Sequence, residues 1–335
     1  MRKRLLTGVL ILLSLMLAAC GADSKEDVVK KLSTKWTETK GYELDATMEI
    51  KTGSEPRVYD VNVWHTKPDF YRVKVNQAGD DNSQMIVRNE EGVFVVTPAL
   101  RKTYKFQSDW PKQNSQAYLI GALADDIKAD SKSVMREEEN SFVFETQTRN
   151  NHQKLLPYQH IYIDKKTMLP TKVSVLNENK EEQISITFKK ITLGTTRNAA
   201  DYAVEKFTES KDDQTAGADL DNKDFQTTYP VLSADMKIVE EKTFEDDGSK
   251  RVIMAYASED KDFTLIQQAA EPDATSYLPV FAAGDPADLG FAIGAITDHS
   301  ISWEQNGVSY FIASSTLSRD EMIEVAASMA LSEDK

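Results

Sequence analysis

Cysteine is nearly absent: one residue, Cys20, in a chain of 335. A single thiol excludes an internal disulfide, so stability has to come from packed apolar cores. Histidine is scarce as well, and the four that occur, His65, His152, His160 and His299, show no H-E-x-x-H or comparable ligand spacing. His152 and His160 are the one pair that a hairpin would bring together, and isolated strand histidines are more often surface groups. The chain has no G-x-S-x-G elbow, no P-loop and no G-x-G-x-x-G loop. Hydrolase, nucleotide-binding and dinucleotide-binding chemistries therefore lack their signatures. The acidic clusters at Asp80-Asp81, Asp125-Asp126, Glu137 to Glu139 and Asp246-Asp247 do not fit an EF-hand loop and read as solvated turns or helix ends. Trp110, Trp303 and Tyr310 read as core or edge packing before partner contacts. Nothing here calls for a cofactor, a metal or an enzyme.

Positive charge is also short. Net charge is -14, and loss of Arg2, Lys3 and Arg4 with a leader would take it three units lower. Such a chain is repelled by nucleic acid and by anionic headgroups, which excludes a nucleic-acid partner and means that surface charge would not hold it at a membrane.

What is present begins with that leader. Arg2, Lys3 and Arg4 precede an apolar run from Leu5 to Leu17, the anatomy of a signal peptide. At about 1.5 Å per residue the run reaches about 20 Å, short of a hydrocarbon core of about 30 Å. Leu17-Ala18-Ala19-Cys20 matches the lipobox of bacterial lipoproteins. Residues 1–19 are expected to be removed and Cys20 to carry diacylglycerol, with residues 20–24 as a lipidated tether. Two acyl chains, at about 0.8 kcal/mol per buried CH2, anchor stably, so the expected location is extracytoplasmic and lipid-anchored to the cell membrane.

About 316 residues then remain, which favours two domains. From Ser24 to Lys40, Val28, Val29, Leu32 and Trp36 share one helical face. The period then falls to two: in YELDATMEI, Tyr42, Leu44, Ala46, Met48 and Ile50 alternate with acidic and hydroxyl residues. The same alternation recurs in RVYDVNVWHT, DFYRVKV, SQMIVRN, GVFVVTP and KTYKF, separated by short turns, which predicts an antiparallel meander of six strands. A helix is predicted over Asn114 to Lys128, and strands resume with SFVFETQT, HIYID, TKVSVLN and EQISITFKKITL. The segment 209–224 has linker composition. It divides a first domain, 25–208, from a small α+β domain, 225–335. In the second, DMKIVEEKTFEDDGSKRVIMAYAS reads as a hairpin turning at Asp246-Asp247-Gly248. Ser318 and Glu321 make a capping box for a final helix with Met322, Val325, Ala326 and Met329 as its stripe.

Three stretches of the first domain, HTKPDFYRVKV, IVRNEEGVFVVTPALRKTYKF and IYIDKKTMLPTKVSVLNENKEEQISITFKKI, carry a resemblance. Their order and spacing resemble the LolA-type lipoprotein carrier superfamily, which includes the sensor RseB. The chain as a whole, leader included, is similar to sporulation lipoproteins of bacilli. The resemblance implies an α+β fold: an incomplete antiparallel β-barrel capped by helices, followed by the small C-terminal α+β domain. It implies a hydrophobic concavity that binds an acyl lipid or a lipoprotein, in sporulation or cell-envelope function. Candidate lining residues are Leu44, Met48, Val61, Val63, Tyr71, Val73, Phe94, Val96, Phe142 and Phe144. A tethered chain is a poor shuttle, so sensing, local lipid handling or scaffolding fits better than ferrying. The alternative is an RseB-like interaction scaffold or sensor, with the concavity filled and an envelope protein partner bound through the C-terminal domain. The discriminating question is whether residues such as Phe94, Phe142 and Phe144 fill the concavity or line it.

Overall fold

The computed structural model describes residues 24–51, 55–78, 83–107, 110, 116–149, 153–208, 225–246, 249–271 and 278–331. The leader, Cys20, the linker 209–224, His152 and the turn at 247–248 lie outside them.

The first helix, α1 (Lys25–Glu38), starts where Ser24 accepts the Asp27 N–H at 3.1 Å, with Glu26 and Asp27 favourably placed in its first turn. Val28, Leu32 and Trp36, spaced four apart, are all buried. The meander follows as β1 (Gly41–Ile50), β2 (Arg57–Thr66), β3 (Phe70–Gln77), β4 (Gln84–Asn89), β5 (Gly92–Thr97) and β6 (Lys102–Phe106). After α2 (Ile120–Ala129) come β7 (Val134–Glu137), β8 (Ser141–Gln147), β9 (Tyr158–Asp164), β10 (Pro170–Leu176) and β11 (Glu182–Leu193). The second part holds β12 (Lys237–Asp246), β13 (Ser249–Ala257), β14 (Asp262–Ala269), β15 (Val280–Phe281), β16 (Asp285–Asp288), β17 (Ile293–Ile296), β18 (Ser300–Gln305) and β19 (Val308–Ala313), then α3 (Arg319–Ser328).

Twelve strands form one open sheet in the order β15-β6-β5-β4-β3-β2-β1-β11-β10-β9-β8-β7, not closed into a barrel. Helices α1 and α2 lie in its concavity, where Leu32, Trp36, Leu123 and Ile127 share a core with Leu44, Val63, Val73 and Phe144. A second, smaller cluster sits on the opposite face, built from Met85, Val87, Phe94 and Val96 against Tyr202 and Val204. The other sheet has seven strands, β12-β13-β14-β19-β18-β17-β16. Its β18–β19 turn is Asn306-Gly307, both at positive φ (51° and 72°), the geometry of a tight hairpin turn. Ser318 and Glu321 cap α3 reciprocally, and Met322, Val325, Ala326 and Met329 are buried.

Two expectations need correction, and four short strands were not foreseen. The helix predicted from Asn114 begins only at Ile120: Leu119 is extended (φ -94°, ψ 119°) and offers no side-chain cap, so Tyr118 and Leu119 are buried ahead of the helix. Strands β7 and β15–β17 are too short, or too rich in Gly, Pro and Asp, to show a period of two. One of them matters most: β15, from the C-terminal part, pairs in parallel with β6, at Val280–Tyr104 and Phe281–Lys105. The two sheets are thereby joined, and their buried apolar residues form one continuous core. Finally, Asp126 is no solvated helix end: it is 1% exposed and accepts Arg149 Nε at 2.6 Å and Gln159 Nε2 at 2.7 Å.

Candidate functional site

The ten candidate lining residues do not share one hollow. Leu44, Met48, Val61, Val63, Val73, Phe142 and Phe144 are at most 2% exposed and pack in the main core, with α1 and α2 laid over them. Tyr71 is half-buried beside them, its ring edge-on to Trp110 at 5.9 Å and stacked on His65 at 4.2 Å. Burial lowers the His65 pKa, and its Nδ1 lies 3.1 Å from the Phe70 carbonyl, a packed rather than exposed histidine. Phe94 and Val96 point the other way, into the smaller cluster. Strand β5 is apolar on both faces, and its Val93 and Val95 take the concave side instead.

A cavity of about 630 Å³ opens between the two sheets, within the range of about 300–1,000 Å³ usual for small-molecule sites. Its wall on the large sheet is Val95, Tyr104 and Phe106, with Phe281 at the margin. Its wall on the small sheet follows from strand register, because residues directly opposite in antiparallel strands share a face. Ile253 faces Ile266, Ile266 faces Phe311, and Phe311 faces Ser302. The neighbouring row is polar: Arg251 faces Gln268, Gln268 faces Ser309, and Ser309 faces Glu304. Both rows line the cavity. The opposite face of the same strands carries Val252, Met254, Leu265 and Ile312, all fully buried.

Polar side chains hold the sheets together along one side. Gln305 Nε2 donates to Tyr59 Oη at 3.0 Å, Asn306 Nδ2 to Gln77 Oε1 at 2.8 Å, and Lys102 Nζ to Glu304 Oε1 at 2.5 Å. Trp303 and Tyr310 stack at 4.9 Å, both buried, so they brace the wall rather than face a partner. On the other side, the Ala282 N–H bonds to the Lys105 carbonyl at 2.9 Å and extends the β15–β6 pairing. Among the described residues, no group of three or more His, Cys, Asp or Glu is arranged to hold a metal ion. Nor is any helix among them long and apolar enough to cross a membrane.

Sequence reading missed this cavity. The available signal was the two-sided apolar character of VIMAY and TLIQQ, in which Ile253 and Ile266 stand out of phase with the buried stripe.

An open twelve-stranded sheet wrapped on two helices, with a second sheet closing an apolar cavity against it, defines a two-sheet α+β protein. The chain belongs to the family described as sporulation protein YdcC-like, which matches residues 2–194. It is 40% identical over 331 residues to the sporulation protein YdcC of Bacillus subtilis (strain 168), covering 97% of this chain and 95% of that protein. Among solved structures it is similar to the Pseudomonas aeruginosa MucA/MucB complex, at 13% identity and a TM-score of 0.34, with 89% of this chain and 96% of that chain covered. It is also similar to a LolA superfamily protein from Nitrosomonas europaea, at 8% identity and a TM-score of 0.31, with 54% and 98% covered.

Proposed function

We propose that this protein is a non-enzymatic, lipid-anchored extracytoplasmic component of the sporulating cell's envelope that binds an acyl chain in the cavity between its two sheets. The observation that carries the reading is the cavity itself: about 630 Å³ walled by Val95, Tyr104, Phe106, Ile253, Ile266 and Phe311. Burial of methylenes at about 0.8 kcal/mol each is the driving force such a wall supplies. The lipobox at Cys20 supports anchoring, and membership of a sporulation family supports the setting. The acyl ligand is drawn from a free lipid or from a lipoprotein's lipidated end, and the C-terminal sheet is the surface on offer to an envelope protein partner.

Native mass spectrometry with lipid extraction tests this on the chain from Gly21 onward, which keeps every described residue. Copurifying or added palmitate should be retained, and Ile266→Trp, which sets an indole across the middle of the apolar row, should abolish retention while the circular dichroism spectrum is unchanged. A clean apo mass with no uptake of palmitate would overturn acyl binding and leave the interaction scaffold as the reading.

A further inference from the structure

The acyl-binding reading leaves the ligand's other end open, and the cavity's charges address it. Two charged side chains line the cavity, Arg251 and Glu304. Glu304 already has its cation, because Lys102 Nζ lies 2.5 Å from Oε1. Arg251, exposed at the edge of the cavity, has none: among the described residues no carboxylate stands within ion-pair distance of it, whereas Arg88, Arg136, Arg149, Arg197 and Arg319 each have one, and Arg72, which also lacks one, is engaged instead by Asn62 and the Trp64 ring. In a chain of net charge -14, an arginine without an acidic partner is not explained by a shortage of acids.

Its geometry is set for an incoming anion. Arg251 Nε donates to Gln268 Oε1 at 2.9 Å, which fixes the plane of the guanidinium and leaves both terminal nitrogens for an acceptor. A planar fork with two parallel N–H groups matches a carboxylate or a phosphate bidentately. Arg251 stands one step along β13 from the apolar row, since Ile253 is the next residue on the same face. From Ile253 that row runs across β14 and β19 to Ser302 on β18, three strand spacings or about 14 Å. The polar row ends at Glu304, already neutralised by Lys102, so the row's unneutralised charge sits at its Arg251 end and the arrangement has a direction.

We propose that Arg251 is the head-group anchor of this cavity, and that the ligand is an acyl amphiphile with an anionic head, a carboxylate or a phosphate. The head pairs with Arg251 at the β13 end, and the chain lies along Ile253, Ile266 and Phe311 against Val95, Tyr104 and Phe106. This rests on the acyl-binding reading and adds the ligand's charge and orientation to it.

The test compares four probes on the same chain by isothermal titration calorimetry at fixed salt: palmitate, hexadecyl phosphate, methyl palmitate and inorganic phosphate. Palmitate and hexadecyl phosphate should bind, methyl palmitate about tenfold or more weaker for want of the charge-assisted bonds, and inorganic phosphate not at all. Arg251→Gln should bring palmitate down to the level of methyl palmitate and leave methyl palmitate unchanged. Arg251→Lys should restore part of the preference. If palmitate and methyl palmitate bind wild type equally, or Arg251→Gln leaves their ratio intact, the anchor is overturned while acyl binding stands. Inorganic phosphate binding as tightly as hexadecyl phosphate would make Arg251 a free-anion site and overturn the amphiphile. Failure of both palmitate and its ester would remove the acyl reading itself.

Discussion

Gln84 of β4 accepts, through Oε1, the backbone N–H of Ile293 of β17 at 2.8 Å, so a side chain of the large sheet serves as backbone partner to the small one. Gln84 also lines the intersheet cavity, which makes this bond part of its wall. The two sheets are held by a few such directed contacts around a shared core, and each contact can be tested singly.

Replacing Gln84 by Leu leaves the buried Ile293 N–H without its acceptor. The expected loss is about 1–3 kcal/mol, the penalty for an unsatisfied buried donor. It should be read as a lower urea midpoint with an unchanged slope; a changed slope would mean that the sheets had come apart in the native state.

The concavity and the cavity predict opposite outcomes for bulky substitutions. Val63 is fully buried beneath the helices, and Val63→Arg should cost on the order of 4 kcal/mol or more by burying an unpaired charge. Ile266 is half-buried on the cavity wall, and Ile266→Trp should shift the melting temperature little while removing ligand uptake. Lipid retention lost in a folded Val63 variant would return the site to the concavity.

Asp288 at the end of β16 is buried, and burial pushes its carboxyl up to about 6 from 3.8 against the lowering pull of the Gly290 N–H. The folded chain then holds a proton that the unfolded chain releases between these values. This contribution is present below about pH 4 and is lost as pH rises through about 6, by at most about 3 kcal/mol. Asp288→Asn keeps the acceptor for Gly290 without the charge. It should stabilise the protein at pH 7, leave it nearly unchanged at pH 4, and flatten the urea midpoint between them.

Lys102 and Glu304 form a largely buried pair, 20% and 12% exposed, across the sheets. Lys102→Met alone strands the Glu304 carboxylate and should cost about 2–4 kcal/mol, below the full value because the pair is not wholly dry. Adding Glu304→Leu should recover most of that loss. A double-mutant cycle by chemical unfolding measures the coupling, and a coupling near zero would show that the sheets do not depend on the pair.

The local elements follow closely from local chemistry. Ser24 and Asp27 start α1, the alternation from Tyr42 to Ile50 makes β1 a one-sided strand, and Ser318 with Glu321 starts α3; each depends on neighbours within four residues. The capless approach to α2 and the two-residue β15 were not legible, because their partners lie far away in the chain.

The sequence by itself determined the single cysteine at Cys20 and with it the absence of a disulfide within the chain, the acidic charge and the run of amphipathic strands, because each is a matter of composition or of period. Tertiary structure decided which apolar face meets which. Val93 and Phe94 are equally apolar, yet the sheet sends one into the helix-filled concavity and the other into the cluster around Tyr202. Met254 and Ile253 are likewise neighbours, yet one is sealed in the core and the other is left on the wall of a cavity that exists only where two sheets fail to close completely. A period of two states that a strand has two faces, and only the packing of distant strands states what covers each.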